Sequence, residues 1–396
     1  VPTPDPDAPV VLPPAIERTL AHSSLLETYW PTAIALVLAV AVVGWWAWRR
    51  RRRPHGGRRR GARLATAATW VTAPVLVALA VLLAVNTWVG YVPTFGAART
   101  LAESLWGSEP PPAPAATAPV VVRSSPPDTP QGTGGRVTTA TTGGIITETV
   151  RSTAHGVPDR PVRFYLPPGY DAPGNTTRYP VYYLLHGSPG TGGDWVGAGK
   201  LAATMDTLID AHQIPPAIVA TPDLTTGTPN GQESVNYPGT GPQFETFFQD
   251  DVVPYTDATL RTVPDRGHRV VGGMSSGGLE SLTFALHRPD AFGATISIMA
   301  YAGPVGPDLR KDAATVAAYS PVRLIKAAAF TQPLAVYLAQ GDQESEADNR
   351  RIEAALRARG QPVTLQIFPG EAHNWNMAYA AEPYGLVWAA RQLGWT

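Results

Sequence analysis

Residues 269–281 read RVVGGMSSGGLES. A β-branched pair, Val270 and Val271, runs into two glycines, Met274, two serines and two more glycines. It then enters LESLTFALH, whose apolar residues recur at helical spacing. That order predicts a strand, a tight turn and a helix. Gly273-Met274-Ser275-Ser276-Gly277 matches G-x-S-x-G, a turn that exposes a serine hydroxyl above the end of a sheet. Of the two serines, only Ser275 has glycine both two residues before and two residues after it; Ser276 has Met274 two before. Ser275 is therefore the candidate nucleophile. The backbone N–H of Ser276, the residue after it, is a candidate oxyanion donor.

A serine hydroxyl attacks only when a base takes its proton. After a nucleophile in such a turn, the expected chain order is an acid and then a histidine. Two histidines come after Ser275: His287, inside the predicted helix and expected to be structural, and His373 in FPGEAHNWN, a loop after the last predicted strand. His373 is the candidate base. The acid is expected in LAQGDQESEADN, where Asp342, Glu344 and Glu346 qualify by type. Glu344, three residues beyond Gly341, is the preferred acid and Asp342 the alternative; its task is to hold the histidine tautomer and stabilise the imidazolium. The second oxyanion donor is expected in HGSPGTGG; Pro189 has no N–H, which leaves Ser188. The nearby GTGGDWVGAGK lacks the spacing of a phosphate-binding loop. The chain has no cysteine and no histidine pair at zinc-site spacing, so neither a metal nor a cofactor is expected.

Outward from this motif, short apolar runs read as strands: 162–168, 179–187, 216–223, 268–275, 294–300, 334–342 and 363–370. Helical patterns lie between several of them. Strands that alternate with helices predict an α/β domain, here residues 137–396, built on a mostly parallel sheet covered on both faces.

The N-terminal third is different. Residues 1–28 form a polar, proline-rich tail with no sign of a core of its own. Residues 29–48 and 66–92 contain no charged residue, and a helix of about 19 such residues spans roughly 28 Å, close to the thickness of a bilayer's hydrocarbon core. Nine arginines crowd residues 49–63, while the whole chain is neutral. An arginine run between two apolar helices reads as a cytoplasmic loop (49–65) rather than a nucleic-acid patch. Both chain ends then lie outside the cytoplasm, anchored at the plasma membrane. Residues 93–136 are expected to hold a short helix, at 94–107, and a proline-rich spacer, at 109–136.

From about residue 145 to the end, the sequence resembles the esterase D-like branch of the α/β-hydrolase fold, which includes feruloyl esterases, siderophore esterases and antigen-85-like mycolyltransferases. The pieces that carry the likeness are YLPPGYD, YPVYYLLHGSPGTGGDW, PPAIVATPD, FFQDDVVPYTDATLRT, DRGHRVVGGMSSGGLESLTFALHRPDAFGA and FPGEAHNW, in that order. The resemblance implies Ser275, Glu344 and His373 as a triad, with Ser188 and Ser276 as oxyanion donors. Two departures stand out. The family often has methionine after the nucleophile, where this chain has Ser276, and its acid is more often Asp.

Together these readings predict a membrane-anchored, extracytoplasmic serine esterase. Its open site would act on bulky or lipid-linked envelope esters such as aminoacyl-lipids or acyl-glycolipids. An aminoacyl substrate would need an acid for its ammonium, and Asp194 and Glu233 are candidates. An acyltransferase of mycolyltransferase type and a non-catalytic anchored binding domain are the alternatives.

Overall fold

A computed structural model describes residues 9–21, 25–52, 59–93, 98, 141–226 and 233–396. Eight strands form one sheet: β1 (Gly144–Val150), β2 (Arg160–Leu166), β3 (Val181–Leu185), β4 (Ile218–Pro222), β5 (Arg269–Met274), β6 (Ala294–Ile298), β7 (Ala335–Gly341) and β8 (Val363–Phe368). Their order across the sheet is β1-β2-β4-β3-β5-β6-β7-β8. From β4 to β8 every neighbouring pair is parallel; β2 runs antiparallel to β1 and β4. All seven strands expected from the sequence are present. The eighth, β1, carries Ile and Thr in an edge strand of mixed exposure, too weak a pattern to stand out beside the fully buried runs.

The central strands are apolar on both faces because both faces are covered. Along β3, Tyr182 and Leu184 enter one core cluster while Tyr183 and Leu185 enter the other, the period-2 alternation of a pleated strand. The chain leaves β3 towards β4 on one side and leaves β5 towards β6 on the other. This switch point opens a crevice at the carboxyl ends of β3 and β5, the usual place for a ligand in such sheets.

The helices that build the core, the site and the apolar pair are α1 (Pro14–Leu20), α2 (Trp30–Arg51), α3 (Arg59–Val89), α4 (Leu201–Asp210), α5 (Ser276–His287), α6 (Ala347–Ala358) and α7 (Trp375–Gln392). The tail departs from expectation. Val10, Leu12, Ile16 and Leu20 are buried in the cluster that also holds Leu201, Met205 and Leu208 of α4 and the inner side of α7. Tyr384 donates to Glu17 Oε1 at 2.7 Å, Gln366 Nε2 to the Val10 carbonyl at 3.4 Å, and the Tyr379 hydroxyl to the Leu20 carbonyl. Four apolar side chains cannot make a core alone, but they complete one that the domain supplies.

Residues 22–112 cluster as a second unit. In it, α2 and α3 pair, and Trp46 Nε1 donates to Thr66 Oγ1 at 3.2 Å. Trp30–Arg51 and Thr66–Val89 are long and apolar enough to cross a membrane, and few of their residues are buried. The expected loop at 49–65 is shorter than its bounds: helix runs into it from both sides, to Arg51 and from Arg59, since arginine is a good helix former. Arg49, Arg50 and Arg52 each lie over a tryptophan ring four residues earlier, 4.8–5.2 Å from its centroid. The short helix and the spacer expected between 94 and 136 lie outside the described residues, apart from residue 98.

Candidate active site

Ser275 sits between β5 and α5 with φ 56° and ψ −117°, left-handed backbone that a non-glycine residue rarely adopts. Its N–H donates to the Ile298 carbonyl at 2.9 Å, which pins the turn to β6. The flanking glycines are required by crowding. A Cβ at Gly273 would lie 2.3 Å from the Gly277 carbonyl oxygen, and one at Gly277 would lie 2.4 Å from that of Leu185. The turn can close only if both positions lack a side chain.

His373 Nε2 accepts a hydrogen bond from Ser275 Oγ at 2.8 Å. Its Nδ1–H donates to Glu344 Oε2 at 2.9 Å. The serine and histidine come from the loops after β5 and β8, and the acid from the loop after β7. The last two loops meet at Gly341, where a Cβ would lie 2.2 Å from the Glu371 carbonyl oxygen. Asp342 faces elsewhere: its Oδ1 accepts the Gly370 N–H at 2.8 Å and so fastens the histidine loop. Glu346 pairs with Arg350 on α6. The structure thus gathers Ser275, His373 and Glu344 and leaves Asp342 outside the line.

Behind Glu344 stands a relay that the sequence reading missed. Gln340 Nε2 donates to Glu344 Oε2 at 3.1 Å, and Gln340 Oε1 accepts from Asn349 Nδ2 at 2.7 Å. Both amides are buried. A glutamine inside the otherwise apolar LAVYLAQG was the available signal, since a buried amide needs partners.

The loop after β3 lies against the nucleophile: a Cβ at Gly187 would be 3.3 Å from Ser275 Cβ. His186 holds this loop. Its Nε2 accepts the Leu224 N–H at 3.0 Å while Nδ1 donates to the Gly187 carbonyl at 2.8 Å. That pair of bonds defines a neutral imidazole, and burial lowers its pKa in the same direction. Asp194 stabilises the next turn by accepting the Thr191 N–H at 3.0 Å. Ser188 and Ser276 line the same cavity as Ser275, about 690 Å³ in volume. Ser276 opens α5, where free backbone N–H groups point outward.

Two sequence expectations about an ammonium partner are corrected. Asp194 is not in the cavity lining, and its carboxylate is committed to Thr191. Glu233 is fully buried, with both oxygens engaged by residues 301–306. His287 is structural: Nδ1 pairs with Glu245 at 2.8 Å and Nε2 meets the Ala318 carbonyl at 3.0 Å. Burial alone would lower its pKa, but the Glu245 hydrogen bond and charge outweigh that, and the net shift is upward. Glu280, buried on α5, is pushed up to about 8, chiefly by burial, against the pull of the Ser234 hydrogen bond. Among the described residues, no group of three or more His, Asp or Glu side chains could hold a metal ion.

The arrangement can take a proton from Ser275, hold the resulting imidazolium against a carboxylate, and accept an acyl group on Oγ. Comparison with known proteins places this geometry in context. Residues 157–388 match the model of the esterase family, described as "Putative esterase". An endo-1,4-beta-xylanase/feruloyl esterase of Xylanibacter ruminicola is 30% identical over 213 residues, 53% of this chain and 26% of that protein. An uncharacterized protein of Corynebacterium glutamicum is 26% identical over 162 residues, 41% of this chain and 36% of that protein. Both matches span well under two thirds of the relative. Among solved structures, a ferulic acid esterase superposes with a TM-score of 0.57 at 24% identity, covering 63% of this chain and 99% of that one. An S-formylglutathione hydrolase from Agrobacterium tumefaciens gives 0.52 at 19% identity, covering 65% and 98%. The fold is the α/β-hydrolase fold.

Proposed function

As the chain belongs to the esterase family, we propose that it is a serine carboxylic-ester hydrolase held at a membrane by two helices, with its catalytic domain outside the cytoplasm. The observation that carries the chemistry is the hydrogen-bonded line from Ser275 Oγ through His373 to Glu344. His373 Nε2 takes the hydroxyl proton as Oγ attacks the ester carbonyl carbon. Negative charge develops on the carbonyl oxygen and is met by the N–H groups of Ser188 and Ser276. The imidazolium, steadied by Glu344, returns its proton to the departing alkoxide, and an acyl-serine remains. His373 then deprotonates a water, which attacks the same carbon and releases the acid.

The anchored reading has separate support. The segment Val10–Leu20 precedes the first apolar helix, and the hydrolase domain comes after the second, yet the two share one core. Segments that pack together lie on one side of a membrane, so an even number of crossings separates them. The arginines between the helices favour the cytoplasm as the other side. A site of this size, tethered in this way, suits bulky or lipid-linked esters of the cell envelope.

A fluorophosphonate probe tests the chemistry. The full chain should be labelled, Ser276→Ala should still be labelled, and Ser275→Ala should not. Labelling that survives Ser275→Ala and disappears in Ser276→Ala would overturn the assignment.

A further inference from the structure

Among the described residues, every apolar side chain lining the cavity comes from one stretch: Met299, Ala300, Tyr301 and Val305. The remaining lining residues are serines, a glutamine, acids and His373. Recognition of an ester's hydrocarbon part therefore rests on residues 299–305, an irregular segment after β6 that contains Gly303, Pro304 and a left-handed Met299 at φ 53°. Such a segment needs external restraints to hold one shape.

We propose that Glu233 is the positioning residue that sets this wall and, through it, the enzyme's preference for the size of the ester's apolar group. The proposal rests on the esterase reading above. Glu233 is fully buried and is not part of the cavity lining, so it acts on substrate only through the wall. Its Oε1 accepts from the Tyr301 hydroxyl at 3.0 Å and from the Val305 N–H at 2.7 Å, and its Oε2 accepts from the Gly306 N–H at 3.1 Å. One carboxylate thus fixes two residues of the wall, Tyr301 and Val305. The opposite end of the segment is held from α6, where Asp348 Oδ2 accepts the Ala302 N–H at 3.0 Å and Asn349 Nδ2 donates to the Ala300 carbonyl at 3.0 Å. The residue after Glu233 is itself tied to the nucleophile's helix: the Ser234 N–H donates to Glu280 Oε1 at 2.6 Å. Glu233 therefore holds the wall in register with Ser275.

All three groups that meet Glu233 are donors, so the site demands an acceptor on both oxygens. Glutamine has the same length but would turn an NH₂ towards either Gly306 or the Tyr301–Val305 pair. Donor would then face donor, and that part of the wall would move.

The test uses the full chain in detergent and p-nitrophenyl acetate and octanoate. In Glu233→Gln, kcat/KM for the octanoate should fall at least tenfold more than for the acetate, with the difference in KM. Glu233→Asp, which keeps the charge, should restore part of the preference. Tyr301→Phe, which removes one bond and keeps the ring, should shift the ratio the same way by a smaller factor, and it carries the test if Glu233→Gln does not fold. Equal losses on both esters, or an unchanged ratio in Tyr301→Phe, would overturn the proposal while wild-type labelling by a fluorophosphonate keeps the esterase reading. A wild-type chain that neither labels nor hydrolyses would remove both.

Discussion

Replacing Glu344 by glutamine separates two things a triad acid does, holding the tautomer and supplying charge. In the wild-type chain, Glu344 Oε2 accepts two hydrogen bonds, from His373 Nδ1 at 2.9 Å and from Gln340 Nε2 at 3.1 Å. Two donors aimed at one position select the amide oxygen of the new glutamine, not its NH₂. The tautomer with Nδ1 protonated is retained, and Nε2 still accepts the Ser275 proton. The variant then loses only the charge opposite the imidazolium. Two unit charges about 4 Å apart attract by about 4 kcal/mol at an effective dielectric of ~20 and by about 1 kcal/mol in water. The His373 and Glu344 side chains are 33% and 34% exposed, so solvent screening discounts the upper figure to about 2–3 kcal/mol. That corresponds to about a 30- to 150-fold loss of kcat, well short of the roughly 10⁴-fold loss when an amide forces the wrong tautomer. In Asp342→Asn the amide oxygen still accepts the Gly370 N–H, and kcat should stay within about threefold. Steady-state rates on a soluble p-nitrophenyl ester, normalised to fluorophosphonate-titrated sites, measure both. Loss below about threefold in Glu344→Gln, or a larger loss in Asp342→Asn, would refute the reasoning.

Truncating the tail's contact should loosen the domain. Leu12 is 1% exposed, and Leu12→Ala should cost about 3 kcal/mol, a fall in Tm of roughly 6–12 °C by calorimetry or fluorescence; no fall would mean that the packed tail contributes nothing. His287 has a raised pKa in the fold, so its pairing with Glu245 stabilises fully below the ordinary histidine value near 6.5 and fades as pH climbs through the raised value. The Tm gap between wild type and His287→Gln should therefore be widest at about pH 6 and shrink as the pH climbs through the raised histidine value; a gap that grows with pH would be the wrong sign. Single cysteines introduced at residue 57 and at an exposed position such as Asp171 report orientation in intact cells. An impermeant thiol reagent should label the second only, and labelling of the first alone would invert the topology.

Legibility in the sequence tracks how local the physics is. The elbow was readable because its glycines answer to backbone crowding within five residues, and the strands because burial on both faces leaves continuous apolar runs. Residue type alone does not separate Glu344 from Asp342, since both acids fit. The structure separates them by non-local contacts: the loops after β7 and β8 meet at Gly341 and Glu371, Asp342 accepts the Gly370 N–H, and Glu344 lies beside His373. Gln340 and Asn349 escaped notice because a single polar residue in a strand or helix does not announce its partners. The tail is the clearest case. Val10, Leu12, Ile16 and Leu20 are too sparse to register as a core, and their meaning depends on a groove between α4 and α7 made by residues some two hundred to three hundred and seventy positions away. Glu233 shows the same limit in the functional direction. As an isolated acid near the site it invited a role in binding charge, yet three converging donors make it a buried acceptor. The same side chain therefore acts on selectivity through the loop it holds, which no spacing along the chain could have indicated.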